Sequence, residues 1–235
     1  MSLGKMGIGK NFLLLQINDA LFPIGAYSHS YGLETYIQKG LIQQGTTARM
    51  YIENRLRYSF LYTDLLAVRL AYQAAETGQL KNLEELETIL DTSKIPREQR
   101  EASRKLGSRF VKTLQQLDIS LKSDIFQSYQ RLRHGTFTSH PCAYGVFCCS
   151  AGIPLEDALA AFLYAQTSSM VTNCVKTIPL SQSEGQKILL SLHPVLEEVL
   201  ALAVEADEEM FCASTPGFDL RSIQHEQLYS RLYMS

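Results

Sequence analysis

The sequence predicts an all-α fold, a single-domain helical bundle of about ten helices. Three observations carry that prediction. No segment sustains the apolar/polar alternation of a strand, and no Asn-Gly or Asp-Gly hairpin occurs. Apolar residues recur instead at helical spacing, between glycine and proline punctuation. The 235 residues contain no Gly/Ser-rich linker, and a chain of that length buries roughly 70% of its unfolded surface without help from disulfides or metal.

The elements follow in chain order. Residues 12–20 form a first short helix, stopped by Pro23 and Gly25. Residues 28–39 form a second, with Gly40 in the left-handed position after its end. Residues 46–76 read as one long helix ending at Gly78, and residues 80–91 as the next. Pro96 opens a helix to about Gln116, as proline suits a first turn. A short amphipathic piece covers 122–133, and 141–151 runs to Gly152. The central helix starts at Pro154 and stops at Pro179. Leu155, Leu159, Phe162, Met170 and Cys174 line one of its stripes, and Tyr164, Ser168, Val171 and Val175 line another. Apolar stripes on both sides predict a helix enclosed by neighbours. Ser181 and Glu184 have capping-box spacing and open a helix that meets Pro194, from which another runs to about Ala206. Pro216-Gly217 is expected to break the chain before a final segment. The expected organisation is a flexible tail over 1–10, the helical domain over 11–218 and a docking segment over 219–235.

Composition excludes several classes. With 46% hydrophobic residues, 20% charged and a net charge of -2, the chain is neither disordered nor equipped with the basic footprint of a nucleic-acid binder. It has 12 Tyr and 10 Phe, and its charged share falls below the usual ~25%, which points to surface covered by a partner. The 18 uncharged residues between Asp157 and Lys176 reach the lower limit for a membrane span. Gln166, Thr167, Ser168, Ser169, Thr172 and Asn173 lie among them, so the segment is read as a buried helix and no membrane association is expected. Five cysteines, odd in number and without C-x-x-C, fit a reduced cytoplasm.

Chemical motifs are sparse. Gly4 to Lys10 matches G-x-x-x-x-G-K, but Asn11 replaces the hydroxyl residue and only three residues precede it where a strand is needed. His140, Cys142, Cys148 and Cys149 are the nearest approach to a soft-metal or Cys/His catalytic loop. They have no supporting signature, so no metal, cofactor or catalytic residue is assigned. A cytoplasmic helical enzyme using that loop stays as the alternative. Two other segments stand out. The corner from Asn18 to Glu34 is dense in turn formers and aromatics. It is either a rigid corner or, through Tyr27, His29 and Tyr31, a recognition surface. In the last segment Leu220, Ile223, Leu228 and Leu232 recur at near-helical spacing. Tyr229, Arg231 and Tyr233 between them are hot-spot residue types, so the tail is read as built to dock.

At these residues the chain resembles the urease accessory protein UreF family. The resemblance covers nearly the whole sequence. It is carried by LLLQINDALFPIGAYSHSYGLETYI (13–37), KLGSRFVKTL (105–114), YAQTSSMVTNCVKTIPLSQSEGQKILLSL (164–192) and IQHEQLYSRLYMS (223–235). The phrases P-I-G-x-Y-x-H-S-x-G-L-E and V-K-x-x-P-L-x-Q-x-x-G-Q are the most specific. The resemblance implies an all-α fold, commonly dimeric, with no catalysis of its own. It implies a bridge between UreD (UreH in some species) and the GTPase UreG, in an assembly that delivers nickel to apo-urease, and possible modulation of that GTPase. Lys176, Gln182 and Gln186, with Pro179 and Gly185, become candidates for the UreG-facing or structural surface. Tyr164 on the central helix becomes a candidate for a dimer or partner interface. Arg231 and Tyr233 become the part that orders on UreD/UreH.

Overall fold

A computed structural model of the chain describes residues 7–26 and 29–234. No strand occurs among them, and the helices are α1 (Ile8–Asn18), α2 (Leu33–Gln38), α3 (Gly45–Arg55), a π-helical segment (Leu56–Leu65), α4 (Leu66–Glu76), α5 (Leu80–Ser93), α6 (Arg97–Gln115), α7 (Ile125–Leu132), α8 (His140–Ala151), α9 (Leu155–Thr177), α10 (Gln182–Ser191), α11 (His193–Glu205) and α12 (Pro216–His225). The all-α reading holds. Among the described residues no helix is long and apolar enough to cross a membrane.

Local chemistry sets many of the helix ends. Gly152 ends α8 at φ 66, a conformation that glycine adopts without penalty. Ser181 accepts the Glu184 N–H at 3.2 Å while the Glu184 carboxylate accepts the Ser181 N–H at 2.8 Å, so the capping box at α10 is complete.

The core forms around α4 and α8, which cross with almost no side chain between them. Ala67, Ala71, Ala143 and Gly145 are small enough for this, and a Cβ on Gly145 would run into the Val68 carbonyl oxygen. Gly107 of α6 meets the backbone of Thr138 and Ser139 in the same way. Beside this contact Phe110, His140, Tyr144 and Phe162 form a ring cluster, with Tyr144 and Phe162 centroids 4.9 Å apart. A buried carboxylate orients the start of α8. Glu87 of α5 accepts the Tyr129 hydroxyl and the Ser139 N–H at 2.9 Å. That places negative charge at a helix N-terminus, although burial raises the Glu87 pKa.

The structure differs from three local expectations. The long helix over 46–76 is continuous but changes type, because Leu56–Leu65 winds as a π-helix. Pro216 does not break the chain but occupies the first turn of α12, a position where its missing N–H is not needed. The central helix α9 is not enclosed on every side. Leu159, Phe162 and Cys174 are buried, but Tyr164 is 49% exposed and Thr172 and Lys176 stand in solvent on one helical face.

Candidate partner-docking surfaces

The corner before α2 is bolted to the rest of the molecule from several sides. Gly25 (φ 83) lies against the Arg109 guanidinium, which donates to the Ile24 carbonyl at 3.2 Å. Asn173 of α9 donates to the His29 carbonyl at 2.9 Å. Ser222 of α12 packs on Gly32 (φ 85) and donates to the Tyr31 carbonyl at 3.3 Å. His29 is therefore buried, and desolvation, with Lys105 and Arg109 nearby, lowers its pKa to about 4. Tyr31 is half-buried beside His29, with ring centroids 6.0 Å apart. Tyr27 lies outside the described residues.

The C-terminal segment folds back across α2 and α6. His225, at 0% exposure, stands between two carboxylates: its Nε2 is 2.9 Å from Glu34 and its Nδ1 is 2.7 Å from Glu98. The ring therefore ties α2 and α6 together, one nitrogen facing each carboxylate. Glu34 then accepts the backbone N–H groups of Leu232 at 2.7 Å and Tyr233 at 3.0 Å. Glu98 accepts Arg231 at 2.7 Å, and Gln38 donates to the Ser230 carbonyl at 2.8 Å.

The helical spacing of the tail ends at His225, the last residue of α12. Beyond it the side chains divide between two sides. Tyr233 is buried and its hydroxyl is pushed up to about 12 by burial, then by Glu34. Tyr229 is fully exposed, as are large parts of Leu232 and Met234. Leu220 and Ile223 of α12 are exposed with them. Arg231 spans the two sides, its guanidinium paired with Glu98 while its side chain stays 40% exposed.

The open face of α9 leads into α10. Lys176, Gln182 and Gln186 are all exposed there, as is Tyr164. Gly185 is buried against Val175 at a separation that leaves no room for a Cβ, so the two helices meet closely below these polar side chains.

The Cys/His loop has a different environment. His140 and Cys142 are buried, desolvation lowers His140 to about 4, and burial with Glu87 nearby holds the Cys142 thiol well above its ordinary range. Burial pushes Cys149 up to about 11. A thiol so raised stays protonated and is a poor nucleophile and ligand. Among the described residues no group of three or more His, Cys, Asp or Glu is placed to hold a metal ion.

Glu34, Glu98 and His225 are the residues that reading the sequence missed. Glu34 was visible as the last letter of the P-I-G phrase and His225 as one of five histidines. Glu98 lies in a charged helix that gave no signal.

Comparison with known proteins finds relatives that match nearly the whole chain. The UreF family model matches residues 42–193. A urease accessory protein UreF of Haemophilus influenzae (strain PittEE) is 36% identical over 224 residues, 94% of each chain. One from Actinobacillus pleuropneumoniae serotype 5b (strain L20) is 36% identical over 230 residues, covering 97% of this chain and all of the relative. One from Paenarthrobacter aurescens (strain TC1) is 31% identical over 223 residues, 94% of this chain and 96% of the relative.

Proposed function

The chain belongs to the UreF family of urease accessory proteins, and we propose on that premise that it is a non-catalytic scaffold for maturing the nickel centre of urease. In this reading it bridges UreD (UreH) and the GTPase UreG and brings both to apo-urease in the cytoplasm, with nickel as cargo and no resident cofactor. The observation that carries the reading is similarity at 31–36% identity over almost the full length of the chain and of its relatives.

Two surfaces support a division of labour. The outward side of the tail, with Tyr229, Leu232 and Met234 on a base fastened by Arg231 and Tyr233, offers apolar anchors for UreD/UreH. The open face of α9 and α10 offers Tyr164, Lys176, Gln182 and Gln186 for UreG or for a second copy of the chain, and modulation of the GTPase would act through the same face. The aromatic corner contributes by holding the start of the tail, since the Tyr31 carbonyl accepts the Ser222 hydroxyl.

The test is reconstitution. The full chain, incubated with the UreD/UreH and UreG of one urease system, should elute as a complex containing all three. Substituting Tyr229 and Leu232 by Ser should remove UreD/UreH and leave the fold unchanged by circular dichroism. Recovery of the chain free of both partners would refute the scaffold reading.

A further inference from the structure

Leu15 of α1 and Leu21 just after that helix are 66% and 91% exposed. With Phe22, Pro23 and Leu117 they line an open groove of about 640 Å³ between the end of α1 and the end of α6. Single apolar side chains on a surface need no explanation, but these share one floor. The floor is fixed from below. Phe22 is buried with its ring 5.7 Å from that of Phe110 on α6, and the Arg109 guanidinium donates to the Ile24 carbonyl at 3.2 Å, one residue past Pro23. Thr113 and Gln116, at the end of α6, complete the wall.

A row of cations leads into the groove. Lys105, Arg109 and Lys112 follow one another at i, i+4 and i+7 on α6, so they share a face, and Gln116 one turn on lines the groove itself. All three are exposed, and none takes part in an ion pair among the described residues. The carboxylates of the neighbourhood are engaged elsewhere. Asp91 holds Arg104 at 2.6 Å, Glu98 holds Arg231 and His225, and Asp19 accepts the Leu21 N–H at 2.7 Å. Glu101 pulls on Arg104, and Asp118 lies past the helix end. The row's field is felt inside the protein as well: after burial, Lys105 and Arg109 push the His29 pKa down, with Glu98 opposing them. From first cation to last the row covers about 10 Å of helix axis. A second helix laid along α6 repeats that spacing in its own turns, so its carboxylates at i, i+4 and i+7 each meet one cation. The apolar side chains on its adjoining face then reach the groove.

We propose that this face of α6, with the groove at its end, docks an acidic amphipathic helix of a partner protein. Lys105, Arg109 and Lys112 take its carboxylates, and the floor of Leu15, Leu21 and Leu117 takes its apolar side chains. The surface shares no residue with the α9–α10 face or the outward side of the tail described above, and it does not depend on the scaffold reading.

The probe is a synthetic helical peptide with glutamates at i, i+4 and i+7 and leucines on the adjoining face, titrated with the full chain by fluorescence anisotropy. It should bind saturably, and replacing its glutamates by glutamine, or raising salt to about 0.5 M, should weaken it about tenfold. In the chain, Lys105→Glu combined with Lys112→Glu should weaken binding about tenfold, and Leu21→Ser about threefold. Arg109 is left in place because it holds the Ile24 carbonyl. The altered side chains are exposed, so circular dichroism should not change. Lys187→Glu, on α10, should leave binding as it is. No saturable binding, or undiminished binding to the folded double variant or to Leu21→Ser, overturns the proposal. Equal binding of a peptide with lysines in place of the glutamates overturns it too. Self-association by sedimentation, or retention on phosphatidylserine vesicles, that the double variant loses would assign the face to a second copy or to a membrane, and would overturn it as well.

Discussion

Where α4 crosses α8, the meeting side chains are alanines and a glycine, and backbone lies against backbone. Where residues 225–234 cross α2 and α6, the meeting groups are two glutamates, an imidazole, a guanidinium and main-chain N–H groups. Both contacts are closed to water at their centres. The first is held by volume, and volume has no partner to exchange. The second is held by directional bonds, each of which another protein's donors and acceptors can replace. The difference teaches which part of the molecule is suited to trading its own contacts for a partner's.

The largest expected effect tests the volume side. Gly145→Val places a branched side chain against the Val68 carbonyl and should destabilise the fold by about 3 kcal/mol. Urea denaturation measures it, and a loss under ~1 kcal/mol would mean that the helices part easily and the contrast is false.

Acid tests the same region by another route. His29 and His140 have pKa values lowered to about 4, below the ~6.5 of an unfolded chain. Between those values the unfolded chain binds the protons first. Stability from these residues is full above ~6.5, falls as pH drops toward 4, and is level below that. Glu87, with its pKa raised by burial, works in the opposite sense, its contribution falling as pH rises. The histidines should dominate, so denaturation at pH 4.5 should show a stability lower by up to about 3 kcal/mol than at pH 7. His140→Leu should flatten much of that slope, since the His140 Nε2 has no hydrogen-bond partner to lose.

The directional side should give smaller and more local effects. His225→Ala strands Glu34 and Glu98 and should cost about 2 kcal/mol, with amide exchange of Leu232 and Tyr233 rising far more than that of α4 or α8. Uniform loss of protection across the chain would show that the tail and core are one cooperative unit. Arg231→Ala removes a pair whose arginine side chain is 40% exposed and should cost only about 0.5 kcal/mol, seen as a slight gain in proteolysis after residue 225. An effect as large as that of His225→Ala would make Arg231 the principal fastening.

What the sequence disclosed, and what it did not, follows the range of the forces. Gly152, Pro96 and Ser181 mark helix ends through bonds to residues within one turn, so they could be read. The fastening of His225 to Glu34 and Glu98 joins positions 191 and 127 residues apart, and no local pattern signals it. The π segment was equally invisible, because nothing in its sequence departs from ordinary helical spacing. Arg55 sits at the end of α3, and only the assembled structure shows that its guanidinium rests against the rings of Tyr31 and Phe218. The aromatic corner was legible as a special place, but its burial of His29 depends on Asn173 and Arg109 arriving from other helices.

The π segment also sets the phase between its neighbours. Each residue of an α-helix advances by about 100°. A wider turn delays that rotation, so the face of α3 that carries Ala48, Tyr51, Ile52 and Arg55 is indexed against α4 by the winding of Leu56–Leu65. Deleting one residue there would let the stretch tighten into ordinary α-helix and turn α3 by roughly a quarter turn relative to the core. Arg55 would swing off its aromatic seat while the chain stayed helical from end to end. The segment thus works as a gear tooth, and its length, more than its composition, determines what α3 presents to the interior.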